Sequence, residues 1–150
     1  MPGAAWTDPL TPLLGRWRTS GVVLDDDGAP TAQITGTDVY ELMPGGGWVV
    51  HRVDVRIGGE QVTALELIGE HDAHAGTWQM HAFDGDGSRS TMQATPAADG
   101  SWVFSADGVR ARLRAAADGT SMTASWERST PAGWVRWMVL DFTALHQPTG

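Results

Sequence analysis

A phenol, an imidazole and a carboxylate, at Tyr40, His51 and Glu66, are the residues of this chain whose types and spacing suit chemistry. A carboxylate beside an imidazole orients it and favours its charged form. The imidazole can then exchange a proton with a phenol or a bound molecule, and a phenol held this way can donate to a carbonyl or enolate oxygen. Two glycine turns give the spacing its meaning. The alternating runs 49–57 and 60–68 flank Gly58-Gly59, a strong hairpin signal that sets the register. Ile57 then opposes Glu60, Val55 opposes Val62, Val53 opposes Ala64, His51 opposes Glu66 and Val49 opposes Ile68. Turning at Gly45-Gly46 likewise sets Leu42 against Val49, Tyr40 against His51 and Asp38 against Val53. Tyr40, His51 and Glu66 therefore lie in one row across three strands, with Cβ atoms ~4.5–5.5 Å apart. The row sits in an otherwise apolar face, whereas Arg52, Asp54 and Arg56 occupy the opposite one, so it is expected to point inward. A buried polar row can be a satisfied structural network. It can equally be a site, because ionisable groups in low dielectric cost more than apolar replacements would.

The elements that position this row read as short strands near 16–23, 31–42, 47–57, 60–70, 77–83, 88–95, 101–106, 109–116, 121–129 and 134–144. Turn residues that tolerate positive φ separate them, among them Asp84-Gly85-Asp86-Gly87, Asp99-Gly100, Asp107-Gly108 and Asp118-Gly119. Before the first strand, Asp8 to Leu14 suits a turn of helix, and no later stretch keeps a 3.6-residue period. Successive hairpins predict an all-β fold, a single antiparallel up-and-down barrel of about ten strands that removes its own edges by closing. Later turns agree on one inner face. Phe104 opposes Ala111, Trp102 opposes Leu113, Ala124 opposes Leu113 and Trp126 opposes Ala111, while Arg110, Arg112 and Arg114 share the outside. At the Pro131 turn the loop length leaves two registers open, with either Trp134, Arg136 and Met138 or Val135, Trp137 and Val139 inward.

The whole chain bounds the function. At 150 residues and 41% hydrophobic it suits one domain, 1–150. Its ten positive charges are all arginine, and the net charge of -8 repels nucleic acid and anionic membrane surfaces. Without cysteine there is no disulfide framework, thiolate metal site or cysteine nucleophile. No apolar run approaches the ~20 residues needed to cross a bilayer. Met1 to Leu14 lacks the basic and apolar regions of a signal peptide, so a cytoplasmic location is expected.

Eight tryptophans against one tyrosine and three phenylalanines suit either a heavily filled core or walls for a flat ligand. Trp17, Trp102 and Trp126 are the expected wall residues. The opening Leu14-Gly15-Arg16-Trp17, the Tyr-Glu strand, the Gly-Gly-Trp strand with His51, the phrase Glu66-Leu67-Ile68-Gly69-Glu70-His71-Asp72 and the closing Trp-Glu-Arg-Ser strand carry a resemblance. The chain resembles the uncharacterised bacterial lipocalin-like proteins of the calycin superfamily. The resemblance spans nearly the whole sequence and implies a barrel with an interior site for a small, largely apolar molecule. Haem-binding barrel relatives have a proximal histidine near the C-terminus. Here the candidate, His146, stands beside Gln147-Pro148 in what reads as a tail, so no cofactor is expected.

Other constellations are weaker. His51, Glu66 and His81 suit a metal by type, but a loop over 72–76 places His81 outside, level with Leu67, and no metal site is expected. Asp84-Gly85-Asp86-Gly87-Ser88 lacks the bidentate glutamate and helices of a calcium loop. His71, Asp72 and His74 read as a loop, Asp25-Asp26-Asp27-Gly28 as an acidic turn, and no Gly-x-Ser-x-Gly elbow supports a serine nucleophile. An outward strip of Trp48, Val50, Leu65 and Leu67 suits a homodimer interface, unless the N-terminal segment with Trp6, Leu10 and Leu13 covers it. The expected function is binding of a small hydrophobic or aromatic molecule, with Tyr40, His51, Glu66 and Asp38 as anchors and Trp17, Trp102 and Trp126 as walls. The alternatives are a cofactor-independent isomerase or cyclase, with Glu66 orienting His51 for proton transfer and Tyr40 stabilising negative charge, and an interaction protein with a filled core.

Overall fold

The computed structural model describes the backbone of residues 5–145 and the side chains of residues 8–145. His146 and the Trp6 side chain, which figured in the haem and covering-segment expectations, lie outside what is described. Ten strands follow a 3₁₀ segment, Ala5–Leu13: β1 Gly15–Leu24, β2 Pro30–Leu42, β3 Val49–Ile57, β4 Glu60–Asp72, β5 Thr77–Asp84, β6 Arg89–Pro96, β7 Trp102–Ala106, β8 Val109–Ala115, β9 Ser121–Thr130 and β10 Gly133–Ala144. Each pairs antiparallel with its neighbours in sequence, and β1 pairs with β10 to close the barrel. Closure gives every strand two partners and leaves no open edge for another chain to extend. This is the single closed, antiparallel up-and-down barrel that the run of successive hairpins predicts.

Turn chemistry sets the register of the strands that carry the polar row. Gly58 and Gly59 have φ of 59° and 91°, which only glycine adopts at little steric cost, and a two-residue turn of this kind matches the right-handed twist of the flanking strands. Across it His51 pairs with Glu66 and Val53 with Ala64, while Tyr40 pairs with His51 across β2 and β3. The later pairings Phe104 with Ala111, Leu113 with Ala124 and Ala111 with Trp126 also follow the turn arithmetic.

The open register of β10 resolves through a bulge. Arg136 pairs with Glu127 and Met138 with Trp126, so Trp137 is an extra residue that no partner opposes. A bulge changes the parity of a strand. Met138, Leu140 and Phe142 consequently line the interior, whereas Trp134 lies outside, with the Arg110 guanidinium 4.1 Å from its ring centroid. Neither uniform register describes the whole strand.

One end of the barrel is filled. Leu10 and Leu13 are 0% and 1% exposed and pack with Trp17, Trp78 and Trp102 in the core. Burying two leucines contributes roughly 1.5–3 kcal/mol each. The indole N–H of Trp17 donates to the Leu13 carbonyl at 2.9 Å, and that of Trp102 donates to the Pro9 carbonyl at 3.3 Å. Leu10 and Leu13 therefore plug the barrel end and do not cover the outer strip. On that strip the Trp48 ring lies on Gly69, where an added Cβ would meet the ring at 2.4 Å, and Val50 is 6% exposed, while Trp48, Leu65 and Leu67 are partly exposed.

Candidate functional site

Above the plug the barrel holds a cavity of about 200 Å³. Its walls come from inward positions around the barrel: Val53 and Val55 from β3, Phe104 from β7, Ala124 and Trp126 from β9, and Leu140 and Phe142 from β10. Ile57 and Val62 line it beside the Gly58-Gly59 turn, and Val62 is exposed there, so the cavity reaches the rim opposite the plug. Thr19, Asp38, Tyr40, His51 and Glu66 form its polar side.

His51 is the centre of that group. It is 7% exposed, with Nδ1 at 2.5 Å from Glu66 Oε1 and Nε2 at 2.6 Å from Asp38 Oδ1. Ionised carboxylates only accept hydrogen bonds, and an imidazole donates from both nitrogens only as the imidazolium. Burial by itself would push the His51 pKa down. The Glu66 charge, the hydrogen bonds to Asp38 and Glu66, and the Asp38 charge outweigh it and raise the pKa to about 9. Thr19 Oγ1 donates to the other Asp38 oxygen, Oδ2, so both oxygens of that carboxylate are engaged. Glu66 is engaged through Oε1, and its Oε2 has no hydrogen-bond partner among the described residues.

Tyr40 differs from expectation. Its ring stacks on the imidazole, with centroids 3.8 Å apart and planes 9° from parallel, and it makes no in-plane hydrogen bond to a His51 nitrogen. The face of an imidazolium carries its positive charge toward the π-cloud of the phenol, a cation–π arrangement. The hydroxyl has no hydrogen-bond partner among the described residues. Burial, followed by the charges of Asp38 and Glu66, pushes the Tyr40 pKa well above its ordinary value of 10.0, so the group is a neutral phenol at ordinary pH. With both His51 nitrogens held by carboxylates, none is left to exchange a proton with Tyr40 or a bound molecule.

The structure brings together Tyr40, His51 and Glu66 in the row that the strand arithmetic predicts, and Asp38, inward as expected opposite Val53, reaches diagonally to His51. Trp126 lines the cavity, but Trp17 and Trp102 do not. Their indole N–H groups reach back to the plug, so they fill the closed end instead of walling the open one. His81 faces outward, as expected, with Nε2 at 2.9 Å from Glu70 Oε2 and Nδ1 at 3.1 Å from Thr91 Oγ1, and cannot join His51 and Glu66. Thr19 escaped the sequence reading. Its signal was available in the period of β1, where Trp17 and Thr19 share the inward parity.

No protein-family model matches the chain, and no curated protein does either. Solved structures do share its fold. The crystal structure of Rv2717c from M. tuberculosis superposes with a TM-score of 0.72 at 13% identity, over 95% of this chain and 99% of that one. A de novo designed fluorescence-activating β-barrel superposes with a TM-score of 0.50 at 14% identity, over 97% of this chain and 100% of that one. Bovine odorant-binding protein in complex with undecanal is a looser likeness, with a TM-score of 0.40 at 17% identity over 93% of this chain and 76% of that one.

Proposed function

From a lipocalin-like barrel that is plugged at one end and hollow at the other, we propose that the chain binds a small, largely apolar molecule in its interior. The observation that carries this reading is the cavity of about 200 Å³, apolar on most of its wall and bounded on one side by Tyr40, His51, Asp38 and Glu66. Binding sites for small molecules have this composition, an apolar enclosure with a few placed polar groups that fix orientation. A filled core would leave no such space. A dry cavity of ~150 Å³ takes a benzene ring, so the volume here suits one aromatic ring with a short substituent. Trp126 supplies an apolar wall and a reporter.

Titration with single-ring aromatic compounds, followed by tryptophan emission, tests the reading. A saturable change that disappears in Trp126→Phe, with binding still seen by calorimetry, supports it. No saturable binding by either method across such a panel overturns it.

A further inference from the structure

The polar side of the cavity is unbalanced in charge. Among the described residues Asp38 and Glu66 face a single imidazole and no arginine lines the cavity, and the chain has no lysine. Hydrogen bonding is unbalanced in the same sense. Asp38 spends both oxygens on His51 and Thr19, whereas Glu66 spends only Oε1. The Glu66 side chain is 15% exposed and lines the cavity, so Oε2 is an acceptor without a donor among the described residues. Tyr40 lines the same space, and its hydroxyl has no hydrogen-bond partner among the described residues.

We propose that the site selects a small apolar molecule bearing a protonated amine, with the ammonium on Glu66 Oε2 and the Tyr40 hydroxyl and the apolar body against Trp126 and Phe142. The proposal rests on the binding reading above and adds the class of head group. One imidazolium offsets one of two carboxylates, which leaves a negative charge in a low-dielectric enclosure where its interaction with a counter-charge is stronger than in water. An ammonium supplies that counter-charge and three donors, and charge-assisted hydrogen bonds are about twice as strong as neutral ones. A neutral hydroxyl gains only the ordinary bond. A carboxylate brings a second negative charge and meets repulsion.

The test uses the full chain and three probes with one body: 2-phenylethylamine, 2-phenylethanol and phenylacetate at pH 7, with toluene as a head-free reference, all by calorimetry. The amine is expected to bind about tenfold more tightly than the alcohol, as a charge-assisted bond replaces a neutral one, and phenylacetate more weakly than either. In Glu66→Gln the amine-to-alcohol ratio falls toward one. Equal affinities for amine and alcohol, or tightest binding of phenylacetate, overturn the head-group proposal while toluene binding keeps the cavity reading. No binding of any probe, toluene included, overturns both. The wild-type ranking needs no variant, so the proposal stays testable if Glu66→Gln fails to fold.

Discussion

The ring of Tyr40 lies flat on the imidazole of His51, 3.8 Å between centroids and 9° from parallel. Stacking leaves both edges of the imidazole to Asp38 and Glu66, and the buried cation is enclosed by two carboxylates and a π-face. This enclosure predicts how stability depends on pH. The His51 pKa is raised in the folded chain from 6.5 to about 9, so its contribution is fully present below about pH 6.5 and is lost as pH rises through about 9. The groups facing it are Asp38, Glu66 and Tyr40, and the Tyr40 pKa lies higher still. The urea midpoint should therefore fall between pH 7 and 10, with a loss on the order of 3 kcal/mol. A midpoint that stays level across that range would mean that no buried imidazolium exists.

Removing one flank of the cation isolates its energetics. Asp38→Asn keeps the side-chain shape but loses a charge that holds His51 protonated. The His51 ring-proton titration followed by NMR should move to lower pH, and stability should fall by roughly 1.5–3 kcal/mol, the worth of a hydrogen bond to a charged group. His51→Ala is the harsher change, leaving Asp38 and Glu66 buried without their shared cation and costing roughly 3–5 kcal/mol.

Filling the cavity should abolish binding without destroying the barrel. Ala124 is inward and lines the cavity, so Ala124→Phe places a ring in the proposed ligand space. Overpacking costs roughly 1–3 kcal/mol. Calorimetry with toluene should then detect no binding to a protein whose far-ultraviolet dichroism matches the wild type; retained affinity would place the ligand elsewhere.

The plug is separable from the site. Leu13 is buried between Trp17 and the core, and Leu13→Ala should cost roughly 2–5 kcal/mol in urea unfolding. Emission from the tryptophans at the closed end should shift to the red as water enters, and ligand affinity should change little, because Leu13 does not line the cavity.

On the outside, Gly69 exists for Trp48. Gly69→Ala would set a methyl group 2.4 Å from the indole, so the ring must shift off the sheet toward solvent. The expected readouts are a lower Tm and concentration-dependent association by sedimentation, since an apolar outer patch is a docking hazard.

Much of this molecule was legible in the chain because two-residue glycine turns convert sequence distance into strand register. Counting outward from Gly58-Gly59 and Gly45-Gly46 places Tyr40, His51 and Glu66 in one row, and the pairings follow. The same counting fails at β10. The extra residue Trp137 shifts the parity in mid-strand, and no turn rule announces a bulge inside a run of apolar residues.

What the sequence determined, then, was the set of residues on each face, because side chains alternate at a period of two and turns fix the offset. Which atoms meet was left to the tertiary structure. Asp38 sits diagonally from His51, opposite Val53, and diagonal neighbours touch only when strand twist and long side chains bring them together, so its bond to Nε2 outcompeted the expected phenol contact. Likewise Trp17 and Trp102 have the inward parity of wall residues, but parity does not say how far along the barrel a space remains. That depended on where the N-terminal segment entered, since its carbonyls gave both indoles their partners and filled one end while the other stayed hollow.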